Sequence, residues 1–203
     1  MLGLGSSLAK GGASLLTYVK DNLKLYLDFK SNKSDTLKFP CEGSTSFNGS
    51  SDYIGLSSNI SFDGELTIAM WVYLDDNTSI NLLGNSSSSN DYVWINSSSD
   101  IEVVSADGLF SFSNSNTTTG SWQHIVITRD SLNIPKFYKN GVLIQSDSAD
   151  TGTFTFNQIG TYHTGNYYFN GKMANVALWS RALSLEEINS VMRKNYSQLG
   201  SVE

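Results

Sequence analysis

A chain of 203 residues with 39% apolar content is long enough to bury a full core and reads as one domain. Its net charge of -6 and pI near 4.8 exclude the basic surface that nucleic acid or an anionic membrane requires. The single cysteine, Cys41, excludes an intramolecular disulfide, and no apolar run approaches the length that spans a bilayer, so no membrane insertion is expected.

Residues 1–20, MLGLGSSLAKGGASLLTYVK, have no basic residue ahead of their apolar ones, and Gly3, Gly5, Ser6 and Ser7 dilute those; this is not the pattern of a secretion signal. So much glycine leaves little side chain to offset the entropy of ordering, which predicts a flexible arm whose leucines dock on a partner. Residues 21–203 form the folded domain. From Leu23 the apolar period is two: LKLYLDF places Leu23, Leu25, Leu27 and Phe29 on one strand face and Lys24, Tyr26 and Asp28 on the other.

Strand-like runs follow at SDYIGL, ELTIAMWVYL, DYVWI, DIEVVS, GLFSFS, WQHIVITRD, PKFYKNGVLIQS, TFTFNQIG and YYFNGKMANVALW. Asn-Gly or Asp-Gly steps at 48–49, 63–64, 107–108, 140–141 and 170–171 mark tight turns, with KFYKNGVLI the firmest hairpin. The Asn- and Ser-rich tracts GNSSSSN and NSNTTTG read as long polar loops, and the Asn-x-Ser/Thr triplets scattered from Asn32 to Asn195 as products of that composition. Near the C-terminus, SLEEINSVMRKNY offers a capping box between Ser184 and Glu187, followed by an apolar stripe of Leu185, Ile188, Val191 and Met192. The fold class is therefore all-β, an antiparallel two-sheet jelly-roll sandwich with one short C-terminal α-helix.

The order FNGSSDYI, LTIAMWVYL, GSWQHIVITRD, KFYKNGVLI, an Ile-Gly step, and YFNGKMANVALWSRALSLEEI resembles the laminin-G-like and pentraxin-like branch of the concanavalin A-type jelly rolls, over residues 23 to about 196. The resemblance implies a binding or assembly module more often than an enzyme. LGLGSSLAKGG resembles the N-terminal arms of small virion proteins of marine bacteriophages. Together these imply a virion structural protein, a head-decoration or fibre-type component made in the host cytoplasm and not secreted. Its arm would join other virion proteins and its lectin-like domain would adhere to host-surface glycans, with a homo-oligomer expected. The alternatives are a free carbohydrate-binding protein and a glycoside hydrolase.

Hydrolysis needs a proton donor set against a second acid, and glycosidases of this fold carry several acids on one strand. Here only Asp100 and Glu102 share a strand face, roughly 7 Å apart by strand geometry, a pattern more typical of a polar strand face than of a catalytic pair. His124, beside Trp122 on one face of WQHIVI, reads as a core histidine with a satisfied ring, and His163, on the GTYHTGN loop, as the better functional candidate.

The stretch SSNDYVWI sets Asn90 and Asp91 at a strand mouth. In the relatives that the resemblance points to, such a pair supplies half of a calcium site and acids after the Ile-Gly step supply the rest. After Gly160, however, this chain reads Thr161, Tyr162, His163 and Thr164. Calcium wants six to eight hard oxygen ligands, so Asn90 and Asp91 are expected to form a weak or vestigial half-site, and no cofactor is expected. Instead, Tyr92, Tyr162 and Tyr167 offer stacking faces to a sugar while Asn90, Asp91 and His163 bond its hydroxyls; the plain alternative is a strand end beside a polar loop.

Overall fold

The computed structural model describes residues 20–27, 43–163 and 167–193. The strands in chain order are β1 (Leu23–Leu27), β2 (Thr45–Asn48), β3 (Ile54–Phe62), β4 (Leu66–Leu74), β5 (Ile80–Asn85), β6 (Ser88–Ile95) and β7 (Ile101–Val104). They continue with β8 (Leu109–Phe112), β9 (Trp122–Arg129), β10 (Pro135–Lys139), β11 (Val142–Ser146), β12 (Phe154–Ile159) and β13 (Asn170–Trp179), and the helix α1 (Leu185–Arg193) follows. Two antiparallel sheets form the jelly roll that the alternating pattern predicts. The first runs β1-β13-β4-β9-β10-β11, with β2 also paired to β13, and the second runs β3-β12-β5-β6-β7-β8.

The core lies between the sheets. Ile68, Met70, Val72 and Leu74 of β4 meet Val93, Ile95, Phe110, Phe112, Phe154 and Phe156 of the second sheet, all buried. Helix α1 covers the other face of the first sheet, burying Ile188 and Val191 against Ala69, Val126, Tyr138, Ala177 and Trp179. That is why β4 and β9 are buried almost along their whole length, whereas β7 alternates between buried and half-buried residues.

The capping box forms as expected. The Glu187 amide donates to Ser184 Oγ at 3.3 Å, the Ser184 amide donates to Glu187 Oε2 at 2.8 Å, and Arg181 clamps Glu187 Oε1 at 2.6 Å. Leu185 departs from the expected stripe, being 50% exposed. Helical side chains lean toward the N-terminus, so the first one overshoots the sheet beneath.

Three further expectations are corrected. The tract GNSSSSN is a tight hairpin rather than a long loop: β5 and β6 pair Asn85 with Ser88 across a turn of Ser86 and Ser87. INLLGN is therefore a strand, hidden in the sequence by its polar ends. Asn170-Gly171 is not a turn either but opens β13, where a Cβ on Gly171 would collide with the Tyr73 carbonyl oxygen. Leu23 leaves the face of Leu25 and Leu27, because a register shift between Leu23 and Leu25 turns it to the helix side. The Asn140-Gly141 hairpin is as read, with φ of 51° and 77° at the two turn residues. The positions of Phe29 and of the arm up to residue 19 lie outside the described residues.

Arg129, on the inner face of β9, is fully buried. Its guanidinium donates to the carbonyls of Gly64 (2.6 Å), Gly152 (2.5 Å), Asp150 (3.3 Å) and Phe62 (3.5 Å), and it lies over the rings of Phe154 (5.1 Å) and Phe110 (5.7 Å). Burial lowers its pKa, an effect that Asp150 and Asp63 partly oppose.

His124 is buried, as its sequence context predicts, with its ring 5.2 Å from that of Trp71. Its amide and carbonyl are tied to the side chain and amide of Asn140, each at 2.8 Å. Its ring, however, is not satisfied in the way expected: Nδ1 has no partner among the described residues. Burial depresses its pKa from the ordinary 6.5 to about 3.

A group whose folded pKa is depressed in this way leaves the fold fully stable above the unfolded value and weakens it as pH falls. Below about pH 6.5 the unfolding free energy measured by urea titration should drop, at up to about 1.4 kcal/mol per pH unit from this one group. Between roughly pH 6.5 and 5, above the ordinary carboxylate range, a His124→Phe variant should show a clearly flatter slope. Equal slopes for the two proteins would show that His124 does not titrate on unfolding.

Candidate functional site

The outer face of the second sheet is where the sequence-derived candidates meet. Along β6 and β7 the apolar residues Val93, Ile95, Ile101 and Val103 point into the core, so Tyr92, Trp94, Glu102 and Val104 project from the opposite face. The register sets Trp94 directly across from Glu102. The indole Nε1 donates to Glu102 Oε2 at 2.7 Å, and Asn96 Nδ2 donates to Oε1 at 2.8 Å. Asn96 is itself fixed, its Oδ1 accepting from the amides of Ser98 (2.8 Å) and Asp100 (3.0 Å) in the β6–β7 turn. Glu102 thus acts as a bracket, with each oxygen holding a neighbour in place.

Tyr162 and Tyr167 come to the same face on the loop after β12. The Gly160 amide donates to the Leu82 carbonyl (2.9 Å), the His163 amide to the Asn85 carbonyl (2.9 Å) and the Asn81 amide to the Tyr167 carbonyl (2.8 Å), so both limbs of the loop are pinned along β5. Gly84 makes the close approach possible. A Cβ there would collide with the Thr161 carbonyl oxygen and with Cα and Cβ of Tyr162, so Tyr162 lies directly over this glycine. Gly84 is also the register partner of Tyr92, which brings the two tyrosines together.

The outcome is a closed ring of four aromatics. Centroids are 4.7 Å apart for Tyr92–Tyr162, 5.8 Å for Tyr92–Trp94, 5.8 Å for Trp94–Tyr167 and 6.2 Å for the stacked pair Tyr162–Tyr167. Tyr92, Trp94 and Tyr162 are half-buried and Tyr167 is 49% exposed. Burial raises the pKa of Tyr92, helped by Tyr162, Glu102 and Tyr167; burial and then Tyr167 raise that of Tyr162. Both hydroxyls therefore stay protonated and can donate hydrogen bonds at neutral pH. Tyr167 and His163 hold left-handed φ angles of 53° and 46°, a conformation costly for side chains of that bulk and often kept where a ligand is gripped.

Beside the ring runs a polar strip. Asn157 Nδ2 donates to Asn59 Oδ1 (2.9 Å) and Ser86 Oγ (3.0 Å), while its Oδ1 accepts from the Ser86 amide (2.8 Å).

Of the residues the sequence singles out, Tyr92, Tyr162 and Tyr167 are brought together and His163 is exposed at the edge of their loop. Asp91 is engaged elsewhere, as a cap on the backbone of β12 beyond the end of β5. Its Oδ1 accepts from the Thr155 amide (3.4 Å) and its Oδ2 from Asn85 Nδ2 (3.5 Å). Asn90 is exposed beside it, its amide donating to Ser88 Oγ at 3.2 Å. No group of three or more His, Cys, Asp or Glu that could hold a metal occurs among the described residues, and Thr164 lies outside them. Trp94 and Glu102 join the face without being among its sequence candidates. Their signal is present in the alternation of DYVWI and DIEVV, but only the register shows that they face each other. Asp100 closes the Asn96 turn through its backbone, and Glu102 accepts two hydrogen bonds, so the pair is not arranged as a proton donor facing a second acid.

A family described as the concanavalin A-like lectin/glucanases superfamily matches residues 48–189. Among solved structures, NanB sialidase from Streptococcus pneumoniae is similar at 22% identity and a TM-score of 0.56, over 73% of this chain but only 27% of the sialidase. A heptameric SAP-like pentraxin from Limulus polyphemus is similar at 13% identity and a TM-score of 0.56, over 78% of this chain and 87% of the pentraxin. Domain 4 of AbnA, an extracellular arabinanase from Geobacillus stearothermophilus solved with arabinotriose, is similar at 16% identity and a TM-score of 0.54, over 87% of this chain and 96% of that domain. At these identities the likenesses establish the fold. A comparison with curated proteins finds no match.

The contact at Gly84 yields a direct test. Gly84→Ala should lift Tyr162 off Tyr92, costing about 1–3 kcal/mol of stability by overpacking. It should also shift the alkaline absorbance titration of the tyrosines to lower pH. An unchanged titration would show that the ring does not depend on that contact.

Proposed function

Since the chain belongs to the concanavalin A-like lectin/glucanase superfamily, we propose that it is a non-catalytic glycan-binding module whose ligand lies on the open face of β5, β6 and β7. The observation that carries this reading is the closed ring of Tyr92, Trp94, Tyr167 and Tyr162, with Trp94 held by Glu102. A sugar ring presents C–H groups on one face and hydroxyls around its rim. Aromatic faces fixed in advance take the first without losing side-chain freedom, and the tyrosine hydroxyls and the Asn59–Asn157–Ser86 strip offer partners to the second.

Catalysis gains no support from the same face. Glu102 is engaged by two donors, and the neighbouring strand positions carry aromatics where a second acid would be needed. Asn90 and His163 remain rim residues of the proposed site, and Asp91 enters it only through the strand end it caps. Calcium is not part of this proposal.

The finer reading is that the domain is displayed on a virion, as a homo-oligomer, with residues 1–20 joining it to other virion proteins. It rests on the composition of that arm and on its resemblance to phage virion arms, and the arm up to residue 19 lies outside the described residues.

Two outcomes are expected. In calorimetric titration with the best glycan from an array, Trp94→Ala should weaken binding at least about tenfold, the worth of one good stacking contact; affinity equal to the wild type would remove the aromatic ring from the site. For display, a chain beginning at Asp21 should melt unchanged yet fail to be recovered with purified particles, and equal recovery of the two chains would remove the role of the arm.

A further inference from the structure

Positive charge is distributed unevenly along this chain. Lysine and arginine occur up to Lys38 and again from Arg129, but nowhere between residues 39 and 128. The strands β3, β5, β6, β7, β8 and β12, which are the whole second sheet, contain neither residue. The described cations sit on the first sheet, its loops and its helix, and several are committed there: Arg129 is buried among carbonyls, Lys136 pairs with Asp130 at 2.9 Å, Lys139 donates to the Asn116 carbonyl and Lys172 lies 5.0 Å over Tyr73. Acids are not excluded from the second sheet, since Glu102 accepts from the Trp94 indole beside the aromatic ring and Asp91 lies on β6, accepting from Asn85 and the Thr155 amide.

From this we infer that the ligand of the aromatic face is a neutral glycan, not a sialylated, uronate-containing or sulfated one. The inference rests on the glycan-binding reading and specifies its substrate class. An anionic sugar on this face would lose part of its hydration against half-buried aromatics and meet a carboxylate, with no guanidinium or ammonium on the described strands of this sheet to receive it. A cationic amino sugar fits less well than a neutral one, because both oxygens of Glu102 already hold Trp94 and Asn96. The ring is about the size of one sugar unit, with centroid spacings of 4.7 to 6.2 Å. It would stack a single residue, and the polar strip from Ser86 to Asn59, along the neighbouring strands of the same sheet, offers partners to the hydroxyls of a further unit.

The test is a glycan array carrying neutral, amino, sialylated, uronate-containing and sulfated chains, probed with the full protein, with Trp94→Ala and with Tyr167→Ala. The last replaces a half-exposed side chain and so puts the fold least at risk. The expected result is signal confined to neutral chains and lost in both variants, with acidic counterparts bound at least about tenfold more weakly. Titration of the best neutral chain should change less than about twofold between about 0.05 and 0.5 M salt, because no ion pair is being screened. Signal on acidic or amino chains that both variants abolish would overturn the neutral assignment while leaving the binding face intact. Signal that survives in both variants, or no signal on any chain, would overturn the face itself and this inference with it.

Discussion

The sandwich is organised around one buried guanidinium. Arg129 leaves the first sheet from β9, and its carbonyl partners belong to two of the segments that carry the chain between sheets, Phe62 and Gly64 where β3 gives way to β4, and Asp150 and Gly152 where β11 gives way to β12. A desolvated cation is costly unless its donors are used, and four carbonyls with two aromatic faces meet that demand without a carboxylate at ion-pair distance among the described residues. Removing it would strand the carbonyls as well as the space. The planar fork also explains the residue type, since a lysine ammonium could not reach two crossings at once.

Fixing these two crossings ties the sheets to each other at one end, and the two sheets then meet different fates. The first is closed on its outer side by α1, held in place by the Ser184–Glu187 box and the Arg181 clamp, so its strands are apolar on both faces. The second has no helix on its outer side among the described residues. Its outward positions are therefore free to carry aromatic and polar side chains that core packing would not tolerate. The edge strand β8 is protected differently: Asp150 accepts from the Leu109 amide, Asp147 from the Ser111 amide, and Gln145 donates to the Ser111 carbonyl, so side chains occupy edge groups that would otherwise template another strand.

The candidate site depends on both levels. Strand alternation supplies Tyr92, Trp94 and Glu102, and a loop pinned to β5 at three places supplies Tyr162 and Tyr167. Preorganisation is its chief physical property. The indole is fixed by a carboxylate, that carboxylate by an asparagine, and the asparagine by a turn, so little side-chain entropy remains to be lost on binding. The left-handed backbone at Tyr167 is a strained conformation for so bulky a side chain.

How much of this is legible in the sequence follows from the range of each interaction. Alternation in DYVWI, the Asn140-Gly141 turn and the Ser184 cap are local, set by neighbours a few residues apart, and they appear in the structure as read. INLLGN does not read as a strand, because its polar ends, Asn81 and Asn85, bond the loop and hairpin rather than solvent. Asp91 reads as a ligand, but a residue type at a strand mouth does not reveal that a neighbouring strand ends early and leaves the Thr155 amide to be capped. The sequence alone determined the fold class, the helix, the three tyrosines and the absence of cations from residues 39 to 128. Only the tertiary structure decided that those tyrosines close a ring with Trp94, that Glu102 brackets it and that Arg129 is buried. These depend on strand register and on contacts between residues far apart in the chain, 67 positions in the case of Arg129 and the Phe62 carbonyl, and no local pattern encodes such distances.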